Sequence, residues 1–197
     1  MSTFCGALLC GGRSSRMGRD KAFLEVDRQP LWRLQLAKLR AVCGKVVVCG
    51  STSQRRFFEP EGVRFEADAA ADLGPLSGIA RALEAAQATH LLVLAVDMPK
   101  MSERYLLRLR EAAGSSCGVV PERAGAFEGL CAVYPASMYP LVSEQLSGSD
   151  RSLQALVRSG VERNLLRPFP IVDSELGLFE NWNVPGDVAP MVNSTGA

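Results

Sequence analysis

The chain has 197 residues, 47% of them apolar and 22% charged, with a formal net charge of +1. This is enough sequence for one sizeable core and the composition of an ordinary globular enzyme. The near-neutral balance argues against a general nucleic-acid-binding surface, and no apolar run is long enough to span a membrane.

Strand and helix signals alternate, which points to βαβ units and a mostly parallel sheet. Residues 4–9 are an apolar run that reads as a buried strand. The segment that follows, Cys10-Gly11-Gly12-Arg13-Ser14-Ser15-Arg16-Met17-Gly18-Arg19-Asp20-Lys21, is rich in glycine and basic side chains. Such a loop offers backbone N–H groups and a local positive field, a combination that suits a polyphosphate. Residues 22–26 read as a short extended piece and residues 31–42 as a helix with Leu31, Leu34, Ala37 and Ala41 on one face, closed by Gly44. Residues 46–49 form a second strand, residues 52–62 carry no clear pattern, and residues 63–65 suggest a short strand leading to Asp68. Pro75 suits the first turn of a helix running to about residue 87.

Residues 91–96 are apolar without alternation, as expected of a strand covered on both faces. That strand ends in Asp97-Met98-Pro99, and Ser102 is placed to cap a helix to about residue 113. Residues 117–120 and 130–134 read as strands, residues 137–146 as a helix, the stretch from a cap at Asp150 or Ser152 to about residue 159 as another, and residues 165–172 as an extended piece broken by Pro168 and Pro170. Residues 179–184 form a last extended piece, and a loose tail is expected from residue 190. With no repeat and no long linker, residues 1–197 are expected to form one domain. Residues 1–9 lack the basic flank and cleavage site of a signal peptide, which predicts a cytoplasmic setting.

The six cysteines (Cys5, Cys10, Cys43, Cys49, Cys117 and Cys131) include no CxxC pair, and the single histidine, His90, is distant from them in sequence. A zinc site and triad hydrolysis are both disfavoured, and free thiols are expected. The glycine loop matches neither the GK[ST] ending of a Walker A motif nor a GxGxxG fingerprint, which argues against a P-loop kinase and a dehydrogenase. In open α/β sheets, ligands bind beyond the carboxyl ends of the strands. If the first strand and the 91–96 strand are parallel neighbours, the glycine loop and Asp97 meet at one crevice. Asp97 then reads either as a helix-opening residue or as a metal ligand, and Mg²⁺ is the natural cation between a carboxylate and a phosphate.

Four blocks of the sequence, in order, carry a resemblance: LLCGGRSSRMGRDKAFL, GPLSGIARAL, AVDMPKM and FENWNVPGD. Together they resemble the MobA-like molybdenum cofactor guanylyltransferases, over roughly residues 4–188. The resemblance implies a three-layer αβα Rossmann-like fold of the nucleotide-diphospho-sugar transferase type. It implies Mg²⁺-dependent transfer of GMP from GTP to molybdopterin, with pyrophosphate released and molybdoenzymes or their chaperones as downstream partners. By the same resemblance, Leu9, Cys10 and Gly11 contact the nucleoside and Gly12, Arg13 and Arg16 line the phosphates. Lys21 holds phosphate charge, Asp68 contacts the nucleotide, Asp97 is the Mg²⁺ ligand, and Asn181 and Asn183 face the pterin side. Lys21, Arg16 and Asp97 are the expected catalytic groups. Cys10 stands where the family usually has alanine, and Val184 where it has threonine. The alternatives are a cytidylyltransferase acting on the same cofactor, another small-phosphate nucleotidyltransferase, and a non-catalytic nucleotide-binding protein. The presence of both Lys21 and Asp97 argues against the last, and the absence of a DxD motif argues against a nucleotide-sugar glycosyltransferase.

Overall fold

The computed structural model describes residues 2–11, 20–68 and 74–182. The first strand, β1 (Phe4–Leu9), lies inside an eight-stranded sheet. On one side it pairs in parallel with β4 (Val46–Gly50), and β4 pairs with β5 (Arg64–Ala67). On its other side it pairs in parallel with β6 (His90–Ala95), with Leu9 opposite Ala95. The chain thus winds outward from β1 and returns to its opposite side, which makes the β1/β6 boundary a topological switch point. Beyond β6 the sheet continues through antiparallel β9 (Cys131–Pro135), then β7 (Gly118–Arg123) and the edge strand β10 (Leu166–Pro170). The short strand β8 (Ala126–Phe127) pairs antiparallel with β7. The sheet is mostly parallel, as expected, with its antiparallel pairs on the β9 side.

Every residue of β6 is buried, which is why its sequence shows no alternation. Side chains of β1 divide between two apolar layers, because successive residues of a strand point to opposite faces. Leu8 packs in the layer formed with α1 (Leu31–Cys43) and α4 (Glu103–Ala112). Ala7 and Leu9 pack in the other, with α3 (Pro75–Ala85), α5 (Tyr139–Ser147) and α6 (Leu153–Glu162). His90 opens β6, is buried, and stacks on Phe4 with ring centroids 5.0 Å apart. Ser102 caps α4 by accepting from the Tyr105 amide at 3.2 Å, and Pro75 opens α3.

Several local expectations are corrected. Helix α1 buries Leu31, Trp32, Gln35, Leu36, Leu39 and Val42, whereas Ala37 and Ala41 are exposed. The larger apolar groups decide the rotation, since they gain more by leaving water. Residues 22–26 are not one extended piece. Lys21–Phe23 is a 3-10 turn, and β2 (Glu25–Val26) pairs with β3 (Gln29–Pro30) as a hairpin. Asp27 and Arg28 both adopt positive φ at its tip, the backbone that a tight two-residue hairpin requires. Residues 52–62 form successive single turns, with α2 (Arg55–Phe58) between two 3-10 turns, too short to display helical periodicity. Residues 173–178, for which no element was expected, form a 3-10 segment together with Phe179, and it ends as Glu180 turns extended. Among the described residues, no helix is long and apolar enough to cross a membrane.

The β7/β9 contact sets a steric limit. A Cβ at Gly118 would lie 2.0 Å from the Val133 carbonyl oxygen and 2.8 Å from Pro135 Cδ. Gly118→Ala is expected to lower the free energy of unfolding by about 1–3 kcal/mol, the usual cost of overpacking. Urea denaturation measures this, and an unchanged midpoint would rule out the close approach.

Candidate active site

The C-terminal ends of β1 and β6 lie side by side, and the Val96 amide donates to the Leu9 carbonyl at 3.0 Å. The residues beyond these strands therefore share one rim. There the Lys21 ammonium meets Asp97 Oδ2 at 3.1 Å, with the two side chains 22% and 19% exposed. The meeting of the two strand ends expected from parallel neighbouring strands is present, with a cation and a carboxylate in contact there. Asp97 also has a structural partner through its backbone, because its carbonyl accepts from the Trp182 amide at 2.9 Å. Trp182 is buried in the core, so Asn181, immediately before it, is brought to the same rim.

Asp68 follows β5, and its amide donates to the Gly50 carbonyl at 2.9 Å. Its carboxylate lies over Gly11, where an added Cβ would be 2.2 Å from Asp68 Oδ2. A larger residue at Gly11 would require the Asp68 carboxylate to shift. A Cβ at Gly78 on α3 would lie 3.1 Å from Leu9 Cδ2, 3.6 Å from Cys49 Cβ and 3.8 Å from Asp68 Oδ1. The GPLSG block thus packs against the same strand ends. Leu9, Cys10, Gly11, Lys21, Asp68, Asp97 and Asn181 come together at this end of the sheet. Gly12, Arg13, Arg16 and Asn183 lie outside the described residues.

Burial raises the Cys10 thiol pKa well above its ordinary value, with Asp20, Cys49 and Asp68 adding to the effect. Cys10 is therefore a protonated packing group rather than a nucleophile, a small replacement for alanine. Burial likewise raises the Asp68 carboxyl. Two long side chains of α1 support the Asp97 turn from below. Gln35 Nε2 donates to the Met98 carbonyl at 2.5 Å, and Lys38 Nζ to the Pro99 carbonyl at 2.8 Å. Burial lowers the Lys38 pKa to about 8, with Glu103 opposing the shift.

Sequence reasoning missed these two residues, and also Gln54 and Asp20. Gln35 and Lys38 read as ordinary helix positions. Gln54 had a usable signal in the Ser51-x-x-Gln54 spacing of a capping motif, and its Oε1 does accept from the Ser51 amide at 2.8 Å.

Residues 6–164 match the MobA-like NTP transferase domain. The chain belongs to this family. It is therefore a nucleotidyltransferase, an enzyme. A probable molybdenum cofactor guanylyltransferase of Opitutus terrae is 34% identical over 189 residues, covering 94% of this chain and 93% of that protein. A molybdenum cofactor guanylyltransferase of Xanthomonas euvesicatoria pv. vesicatoria is 36% identical, covering 91% and 89%. The fold is similar to molybdopterin-guanine dinucleotide biosynthesis protein A from Archaeoglobus fulgidus, with a TM-score of 0.71 and 23% identity over 93% of this chain and 94% of the other.

The raised Asp68 pKa gives a pH test. An acid whose folded pKa lies above its unfolded value of 3.8 binds more protons when folded across that window. Its contribution to stability is fully present below the unfolded pKa and is lost as pH rises through the folded one. Asp68→Asn is therefore expected to raise the Tm at pH 7 and to flatten the fall in stability that begins above about pH 4. Thermal unfolding from pH 4 to 8 checks it, and a lower Tm at pH 7 would contradict the burial argument.

Proposed function

We propose that this nucleotidyltransferase transfers GMP from GTP to the terminal phosphate of molybdopterin, forming the guanine dinucleotide cofactor and pyrophosphate. The observation that carries the reading is the Lys21–Asp97 contact at the β1/β6 switch point. The names of the relatives support guanylyl transfer to the molybdenum cofactor. An oxygen of the acceptor phosphate attacks the α-phosphorus, forming a P–O bond. The bond from that phosphorus to the oxygen bridging the α- and β-phosphates breaks, and its electron pair leaves with pyrophosphate. A phosphate whose second pKa is about 6 is mostly ionised at neutral pH, so no general base is required.

The protein's task is to bring two anions together and to stabilise the charge that develops on the leaving group. Lys21 is the cation for the triphosphate, joined by Arg13 and Arg16 and by the backbone of Gly12. In this structure its ammonium neutralises Asp97. A bound triphosphate competes for that ammonium and releases the carboxylate oxygens. The backbone at Leu9, Cys10 and Gly11 borders the nucleoside, with Asp68 beside it. Asn181 and Asn183 face the acceptor.

The residues present fit Mg²⁺. Asp97 offers a partly exposed carboxylate, and Mg²⁺ takes one or two carboxylates together with phosphate and water oxygens. Among the described residues, no group of three or more His, Cys, Asp or Glu side chains could hold a metal by itself. Asp97 would hold the cation together with phosphate oxygens of the nucleotide. Bound at Asp97, it supplies neutralisation of the phosphate charge. A cytoplasmic setting and a single catalytic domain belong to the same proposal. All six cysteines are free and four are buried, as suits a reducing compartment.

Purified protein incubated with molybdopterin, Mg²⁺ and either GTP or CTP should release pyrophosphate and form dinucleotide with GTP. Lys21→Ala and Asp97→Ala should each lower the rate by about 10²–10³, the usual loss of one charge-stabilising group, while remaining folded. Preference for CTP would replace the guanylyl reading with a cytidylyl one. Near-normal transfer by either variant would overturn the assigned roles.

A further inference from the structure

Gln54 belongs to none of the four motif blocks. It is 3% exposed and lies on the turn after β4. Its amide joins three separate segments. Oε1 accepts from the Ser51 amide at 2.8 Å. Nε2 donates to the Cys10 carbonyl at 3.3 Å and to Asp20 Oδ2 at 2.6 Å. The other oxygen of Asp20, Oδ1, accepts from the Ala22 amide at 3.0 Å, which caps the 3-10 turn Lys21–Phe23. The first residue of that turn is Lys21, whose ammonium reaches Asp97. The backbone leaves room for this arrangement, since a Cβ at Gly50 would lie 2.1 Å from Gln54 Oε1.

We propose that Gln54 is a positioning residue for nucleotidyl transfer. By joining the Cys10 carbonyl to the Asp20 carboxylate, it fixes the turn that aims Lys21 at Asp97. The inference rests on the reading of Lys21 as the phosphate-binding cation. An amide is the side chain that meets all three demands, because it accepts once and donates twice. A carboxylate in its place would set acceptor against acceptor at both Asp20 and Cys10. An alkyl group would leave the Asp20 carboxylate without its charge-assisted donor. If Gln54 served only to close the turn at Ser51, its loss would cost stability without altering Lys21.

The test uses the full chain as Gln54→Glu, Gln54→Asn and the double variant Gln54→Glu/Asp20→Asn. Glutamate keeps the size and the Ser51 bond but removes both donors. In the double variant, the amide introduced by Asp20→Asn offers a donor to the new carboxylate, and its oxygen can still cap Ala22. Two readouts are taken. Acylation of individual lysines, followed by mass spectrometry, reports the placement of Lys21 without any substrate. Steady-state kinetics with GTP and molybdopterin report kcat and KM.

In Gln54→Glu, Lys21 labelling is expected to rise about tenfold, as for loss of a hydrogen bond to a charged group. Labelling of exposed Lys45 and of half-buried Lys38 should be unchanged, which reports an intact fold. The kcat for GMP transfer should fall by about 10²-fold, the scale of a small misplacement of a reacting group. Gln54→Asn should show the same pattern to a lesser degree, and the double variant should recover most of both losses. Unchanged Lys21 labelling in Gln54→Glu, or increased labelling with normal kcat, would overturn the proposal. Failure of the unmodified enzyme to use GTP would count against the guanylyl reading alone, since the labelling needs no nucleotide and still decides whether Gln54 places Lys21.

Discussion

The contact between Lys21 and Asp97 spans 76 residues of sequence at 3.1 Å. It depends on the parallel pairing of β1 with β6, which ends both strands at the same rim. Neither residue could find the other if the chain returned to the sheet beyond β5 instead of beside β1. The contact is only partly buried, so its direct contribution to stability is small. Its importance lies in where it puts charge. A cation and a carboxylate at the switch point form a place where an anionic ligand and a metal ion can be held together.

A second layer of side chains keeps this rim in place. Gln35 and Lys38 of α1 hold the carbonyls of Met98 and Pro99, while Gln54 reaches Cys10 and Asp20 from the turn after β4. Each of these long polar side chains donates to a backbone carbonyl, which offsets part of the cost of removing it from water. Close approach at Gly11 and Gly78 brings Asp68 and α3 against the same strand ends. The site is thus built on strand termini and one helix face, rigid elements that suit preorganised charge.

Much of this was legible in the sequence, for identifiable reasons. The β6 strand announced itself by an unbroken apolar run, and its burial on both faces explains the run. Lys21 and Asp97 could be paired because each follows a strand predicted to be parallel. Three things were not legible. The rotation of α1 was set by Trp32, Leu36 and Leu39 meeting the sheet, a tertiary effect that helical spacing alone does not rank. The turns at 52–62 are too short for periodicity. The role of Gln54 depends on two carbonyl and carboxylate partners far away in sequence, and local capping spacing reveals only its Ser51 bond.

The proposed function makes Lys21 and Asp97 one functional unit, and a double-mutant cycle on kcat/KM for GTP tests that most directly. Groups that act together are strongly non-additive when removed. Lys21→Ala/Asp97→Ala is therefore expected to be little worse than the more damaging single variant. Losses that multiply in full would show that the two residues act independently, and would contradict their coupling.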